Sequence, residues 1–275
     1  MAVFRASEAD IRSNARVKCY PASTLLQVAN VPIFRASGWE PELRSYSVPA
    51  KGHAKDPTRS LESSQHRAKA ALRDICLCNR FTHFFTWTLS PELIDRYDAG
   101  AVKRKLTVTL KNLTRRKGFS YVCIPERHAD GAIHMHGLCI PGVLRLTRAR
   151  NSHTGAPIST DRGQPVFNMP EWKFGFSSCI PLDENYEQVV GYVSKYIAKG
   201  DEKIFGKWYL SSRNLKKKPE IKLLEPMSYD AFVAANDGIF TVPVFRDVRI
   251  SSKQFKSDPE VIYEHDPGTM DSAMA

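Results

Sequence analysis

The stretch from Ser120 to Ile140 constrains the fold most tightly. SYVCIPE (120–126) and AIHMHGLCI (132–140) are dense in β-branched and aliphatic residues and read as two strands. Ala129-Asp130-Gly131 between them suits a three-residue hairpin loop, with Gly131 taking the left-handed position. In that register Glu126 lies opposite His134, His128 opposite Ala132 and Ile124 opposite His136. Side chains two apart share a face of a strand. Glu126, His128, His134 and His136 therefore gather on one face, and Cys123 and Cys139 fall on the other as buried thiols. A two-residue Asp-Gly turn would slip the pairing by one and turn Glu126 away.

His134, His136 and Glu126 together offer two imidazoles and a carboxylate. That mixed set suits Mn²⁺ and accepts Mg²⁺ when phosphate oxygens complete the shell. It leaves positions open for water or substrate oxygens. The spacing by itself is equally that of a surface strand with scattered histidines.

Other elements frame this hairpin. Residues 59–78 and 101–117 show helical spacing, the latter with Val102, Leu106, Leu110 and Leu113 on one side, bases between them and Gly118 as a stop. FTHFFTWTL (81–89) and FGFSSCI (174–180) read as strands, and 141–170 as a Gly/Ser/Thr/Arg-rich loop. Residues 184–199 form a helix, with Asp183 as N-cap and Gly200 as stop. Helices and strands mix without regular βαβ alternation. The expected class is α+β, a central antiparallel sheet with flanking helices. The expected organisation is an irregular arm over 1–56, a central domain over 57–215, an extension over 216–250 packed on it, and an acidic, disordered tail over 251–275.

The helix 184–199 carries Tyr192 and Tyr196 one turn apart, so both hydroxyls can reach one site. Lys195 and Lys199 follow each tyrosine by three. A free phenol has a pKa near ~10. Adjacent ammonium groups favour the phenolate and can neutralise a phosphoryl transition state. Val189, Tyr192, Val193, Tyr196 and Ile197 also form the stripe of a core-facing helix, so the tyrosines stand for packing as well as for chemistry.

Charge narrows the partner. Lys and Arg number 40 against 29 acids, a formal net charge of +11. The five acids and no base after Ser257 leave +16 on residues 1–256. Such a body expects a polyanion, most simply nucleic acid. The six cysteines form no CxxC pair, which points to a reducing compartment. The N-terminus has no apolar h-region, no apolar run approaches a membrane span, and no GxxxxGK[ST] occurs. A cytoplasmic protein without membrane contact or a fused ATP-driven helicase is expected.

Three segments in order, FFTWTL (84–89), HMHGLCI (134–140) and YVSKYIAK (192–199), resemble the three motifs of rolling-circle replication initiators, the HUH endonucleases of single-stranded DNA phages and small plasmids. The doubled tyrosine resembles the two-tyrosine group, and the resemblance covers about residues 75–215. It implies the HUH endonuclease fold, with the histidines on the middle strands and the tyrosine helix beside them. It implies site-specific nicking of single-stranded origin DNA in a bacterial host cytoplasm. A tyrosine would attack the phosphodiester, leaving a 5′-phosphotyrosine and a free 3′-OH for a host polymerase, with a host helicase unwinding. The second tyrosine, or the released 3′-OH, would later reverse the step.

Carried onto this chain, the resemblance makes His134 and His136 ligands of a Mg²⁺ or Mn²⁺ ion. Glu126 fits as third ligand, Tyr192 and Tyr196 as nucleophiles, Lys195 and Lys199 as phosphate-handling lysines. Thr86 and Thr88 would line a DNA groove, and His128 has no fixed slot beyond a substrate contact. Arg104, Lys111, Arg115, Arg116, Arg213, Lys216 and Lys217 are the expected salt-sensitive backbone contacts. Two other readings stand beside this one: a single-strand transposase or relaxase with the same chemistry, and a basic nucleic-acid-binding protein without catalysis.

Overall fold

A computed structural model describes residues 3–5, 12–35, 53–183, 185–200, 202–245, 247–255 and 260–262. The chain divides into two compact units, Pro49–Lys218, and Met1–Val48 together with Pro219–Ala275.

The first unit is built on a seven-stranded sheet. Its order is Leu210–Ser211, Ser120–Arg127, Ile133–Ile140, His83–Thr88, Ser177–Pro181, Phe167–Asn168 and Thr147–Arg148. Its strands pair antiparallel throughout. The strand Ile133–Ile140 sits third, between the strands that precede it in the chain. Gly131 adopts φ +84°, and its N–H donates to the His128 carbonyl at 2.8 Å. This three-residue turn sets Glu126 opposite His134 and Ile124 opposite His136, as the hairpin spacing expects.

Three helices cover this sheet. Helix α1 spans Pro57–Asn79, α2 spans Ala99–Lys117 and α3 spans Tyr186–Lys199. The Asp56 and Asp98 side chains accept the first N–H groups of α1 and α2. Gly118 ends α2 in the left-handed conformation at φ 69°. One sheet face, carrying Phe85, Trp87, Tyr121, Cys123, Met135 and Cys139, shares a buried cluster with Val102, Leu106, Leu110 and Leu113 of α2. Side-chain alternation sends His134 and His136 to the other face, where α3 packs and in turn meets α1. Gly137 permits the sheet to close: a Cβ there would lie 2.1 Å from the Val122 carbonyl oxygen and 2.6 Å from the Phe85 ring.

Several expectations need correction. Helix α3 begins at Tyr186, not Glu184. Its N-cap is Asn185, without a side-chain cap bond, and Asp183 instead accepts the Asn185 N–H at 3.0 Å. Gly200 closes the helix in an extended, not a left-handed, conformation. The buried stripe is Tyr186, Val190, Val193 and Ile197, with Tyr196 beside it, while Tyr192 is exposed.

The second unit corrects the reading of both ends. Within the segment expected to be irregular, Ala15–Tyr20 and Ser23–Ala29 are strands. They join Glu220–Leu224, Phe240–Phe245 and Val248–Phe255 in a five-stranded antiparallel sheet. Helix α4, Tyr229–Ala234, contributes Phe232 to a core with Ala15, Val17, Leu26, Val28 and Leu224. Thus part of the expected arm, the extension and the first residues of the expected tail pair with one another. Val3–Arg5 and Glu260–Ile262 also pair, in parallel. The remainder of the acidic tail lies outside the described residues. Among the described residues no helix is long and apolar enough to cross a membrane.

Candidate active site

The histidine face of the sheet and helix α3 enclose the site. His134 and His136 have ring centroids 4.6 Å apart, and His128 approaches His134 edge-on at 4.5 Å. Glu126 Oε2 lies 3.2 Å from His136 Nε2. The Tyr196 ring stacks on His136 at 4.2 Å with planes 16° apart. The Tyr196 hydroxyl donates to Tyr192 Oη at 2.6 Å. The structure thus brings together five residues that the sequence selects: Glu126, His134, His136, Tyr192 and Tyr196.

The neighbouring strand supplies what the sequence assigns differently. Thr86 pairs with His136 and Thr88 with His134 across the ladder. Thr86 Oγ1 is 3.2 Å from His136 Nδ1, and Thr88 Oγ1 is 3.3 Å from His134 Nδ1. These hydroxyls hold the two imidazoles, and the DNA groove expected of them is not what they face. A ring that offers its Nε2 lone pair to a cation keeps its proton on Nδ1 and donates it to the threonine, a standard orienting contact for a metal-binding histidine. Phe84 adds a wall that sequence reading missed, 6.0 Å from His136 and 6.2 Å from Tyr192. Its signal was present: Phe84, Thr86 and Thr88 alternate along one strand face.

Electrostatics separate the groups. Burial, then the neighbouring His136 and His128, push His134 down to about 4, against the opposing pull of Glu126. It is therefore a neutral imidazole at pH 7, the form that binds metal. Burial, the hydrogen bond with Tyr192 and the charge of Glu126 push the Tyr196 phenol well above its ordinary value. The expected lowering by lysines thus fails for Tyr196, which is 7% exposed and stays protonated; Tyr192 is 52% exposed. Lys195 is exposed, and the Lys199 side chain lies outside the described residues.

The donor chemistry fits a divalent cation: two imidazoles with anchored Nδ1 atoms and one carboxylate on the same face. Among the described residues no three His, Cys, Asp or Glu side chains form a ready-made metal cage. Glu126 contacts His136 directly instead.

Arg104, Lys111, Arg115 and Arg116 are exposed on α2, as expected. However, α2 covers the sheet face opposite to the histidines, so the fold does not bring this basic face to the site. Arg213, Lys216 and Lys217 are exposed beyond the edge strand Leu210–Ser211. Lys216 is fixed to the end of α1, its N–H donating to Asn79 Oδ1 at 3.0 Å.

Residues 82–201 match the model of a family of replication-associated proteins, the ORF2 type. This segment is of the rolling-circle replication initiator type. No curated protein and no solved structure matches the chain. The replication-associated segment begins at the strand bearing Thr86 and Thr88 and ends just past α3. It therefore contains every residue that makes up the site.

Proposed function

We propose that the protein initiates rolling-circle replication by nicking and rejoining single-stranded origin DNA, on an HUH endonuclease fold. The observation that carries this reading is the tyrosine pair. Two hydroxyls 2.6 Å apart, one exposed and one buried against His136, lie within the replication-associated segment.

In this reading Tyr192 is the first nucleophile. Its oxygen attacks a backbone phosphorus, the P–O3′ bond breaks, and the leaving oxygen takes a proton to become a 3′-OH. The 5′ side of the DNA stays bonded to Tyr192 as a phosphotyrosine. Attack by a 3′-OH on that ester returns the phenol and reseals the strand. Tyr196 supports the step by donating its hydrogen bond to the Tyr192 oxygen as charge develops there. A Mg²⁺ or Mn²⁺ ion held by His134, His136 and Glu126 would polarise the scissile phosphate. Thr86 and Thr88 hold the two rings in register, and Phe84 shields one side from water. The exposed Lys195 stands beside Tyr192 to meet phosphate charge, and Lys199 is assigned the same role. The 3′-OH would serve a host polymerase, with a host helicase opening the duplex.

The test is a denaturing gel of protein incubated with single-stranded fragments tiling the replicon that encodes it, with Mn²⁺ or Mg²⁺. A metal-dependent covalent protein–DNA band, absent in Tyr192→Phe, is the expected result. Binding without any adduct on all fragments overturns the enzymatic reading in favour of a non-catalytic DNA-binding protein.

A further inference from the structure

A concavity of about 290 Å³ adjoins the tyrosines on the side away from Thr86 and Thr88. Its apolar walls are Pro125, Ile197 and Trp208, and its polar groups include Glu126, Glu202 and Lys207; Tyr196 closes one side. The volume sits at the small end of the ~300–1,000 Å³ range of ligand pockets. That suits one planar heterocycle and excludes a folded polymer segment.

The wall residues are held in place. Trp208 is buried, its indole Nε1 donates to Ser64 Oγ at 2.9 Å, and Lys203 Nζ lies 5.6 Å from its ring centroid. Glu202 Oε1 accepts from Arg127 Nε at 2.8 Å, and Arg127 Nη1 donates to the Gly131 carbonyl at 2.9 Å. The glutamate is thereby anchored to the tip of the histidine hairpin. The cavity combines flat apolar surface, two carboxylates that only accept, and one ammonium that only donates.

Among the nucleobases this pattern selects one. Guanine alone presents two adjacent donors, N1–H and the N2 amino group, which a carboxylate can accept in parallel. Its O6 acceptor sits next to them, where an ammonium can reach. Adenine and cytosine each offer one donor beside an acceptor, and thymine flanks its single N–H with two carbonyls. We propose that this cavity is a guanine-binding pocket that holds one unstacked base of the single strand next to the scissile phosphate. It thereby sets where the nick falls. This rests on the proposed nuclease reading for its placement on the substrate, but the binding itself needs no catalysis.

The test uses the full chain in EDTA, with fluorescein-labelled dT8 and the same oligonucleotide carrying a single central dG, dA, dC or deoxyinosine. Binding is followed by anisotropy. A good bidentate contact discriminates by about tenfold, so the dG oligonucleotide should bind about ten times tighter than dT8. Deoxyinosine, lacking the N2 amino group, should lose most of that gain. Glu202→Gln and Lys207→Ala should each cut the dG preference while leaving dT8 affinity unchanged. Equal affinities for all five oligonucleotides, or a dG preference that survives in Glu202→Gln, overturn the pocket. The covalent-adduct gel is run on the same preparations. A guanine preference without any adduct retains the pocket and refutes the nuclease; an adduct without a guanine preference does the reverse.

Discussion

Replacing Tyr196 by Phe separates the two tyrosines' roles. The ring, stacked on His136 at 4.2 Å, is retained, and only the hydroxyl that donates to Tyr192 Oη at 2.6 Å is lost. A hydrogen bond to a neutral acceptor contributes about 0.5–1.5 kcal/mol net, and one to a charged acceptor about 1.5–3 kcal/mol. As Tyr192 gives up its proton it passes from the first class to the second, so the bond favours the reacting state by about 1–2 kcal/mol. At about 1.36 kcal/mol per decade, its removal slows adduct formation by a factor of about 5–30. Tyr192→Phe removes the nucleophile itself and should abolish the first-step adduct. The assay is a single-turnover time course of covalent adduct at saturating Mn²⁺, with the modified tyrosine identified by peptide mass. An undiminished rate in Tyr196→Phe, or a wild-type adduct carried by Tyr196, would refute the division of labour.

Other consequences are equally direct. Thr86→Val and Thr88→Val remove the hydroxyls that hold His136 and His134. Each should weaken Mn²⁺ binding by about 10–100-fold, read by calorimetric titration, with little change in thermal stability. Gly137→Ala places a Cβ where the Val122 carbonyl and Phe85 ring stand. Overpacking of this kind should cost about 3 kcal/mol and lower the urea midpoint; an unchanged midpoint would contradict the close approach. His134, held at about 4 in the folded chain against 6.5 when unperturbed, binds fewer protons folded than unfolded. In chelator, stability should be full above pH 6.5 and fall as pH drops toward 4. The loss is at most about 3 kcal/mol and levels off below that. His134→Gln should flatten this part of the profile, and a profile identical to wild type would remove the assignment.

Much of the site was legible because it is local. Glu126 and His134 are eight residues apart, and one turn type decides whether they share a face. The glycine at 131 and the period-two alternation therefore carried the hairpin register without any tertiary information. The same holds for α2, whose buried residues Val102, Leu106, Leu110 and Leu113 repeat at helical spacing. Helix α3 was legible as a helix, but its orientation was not. The apolar stripe admits several rotations, and packing chose the one that buries Val190, Val193 and Ile197 while leaving Tyr192 exposed.

What sequence alone determined was the set of chemical groups and their nearest-neighbour geometry: two histidines and a glutamate on one hairpin face, two tyrosines one turn apart, and a net positive body. Tertiary structure decided which of them meet. The strand order set Thr86 and Thr88 beside the histidines, about 50 positions away along the chain. It placed the basic face of α2 on the far side of the sheet, and it joined Ala15–Tyr20 to Glu220–Leu224. Such contacts join segments far apart in the chain, so their stabilisation comes from burial and ladder hydrogen bonds formed only on closure. No local period records them. Burial likewise separated the tyrosines, because desolvation of a phenol depends on everything packed around it and not on the lysine three residues along.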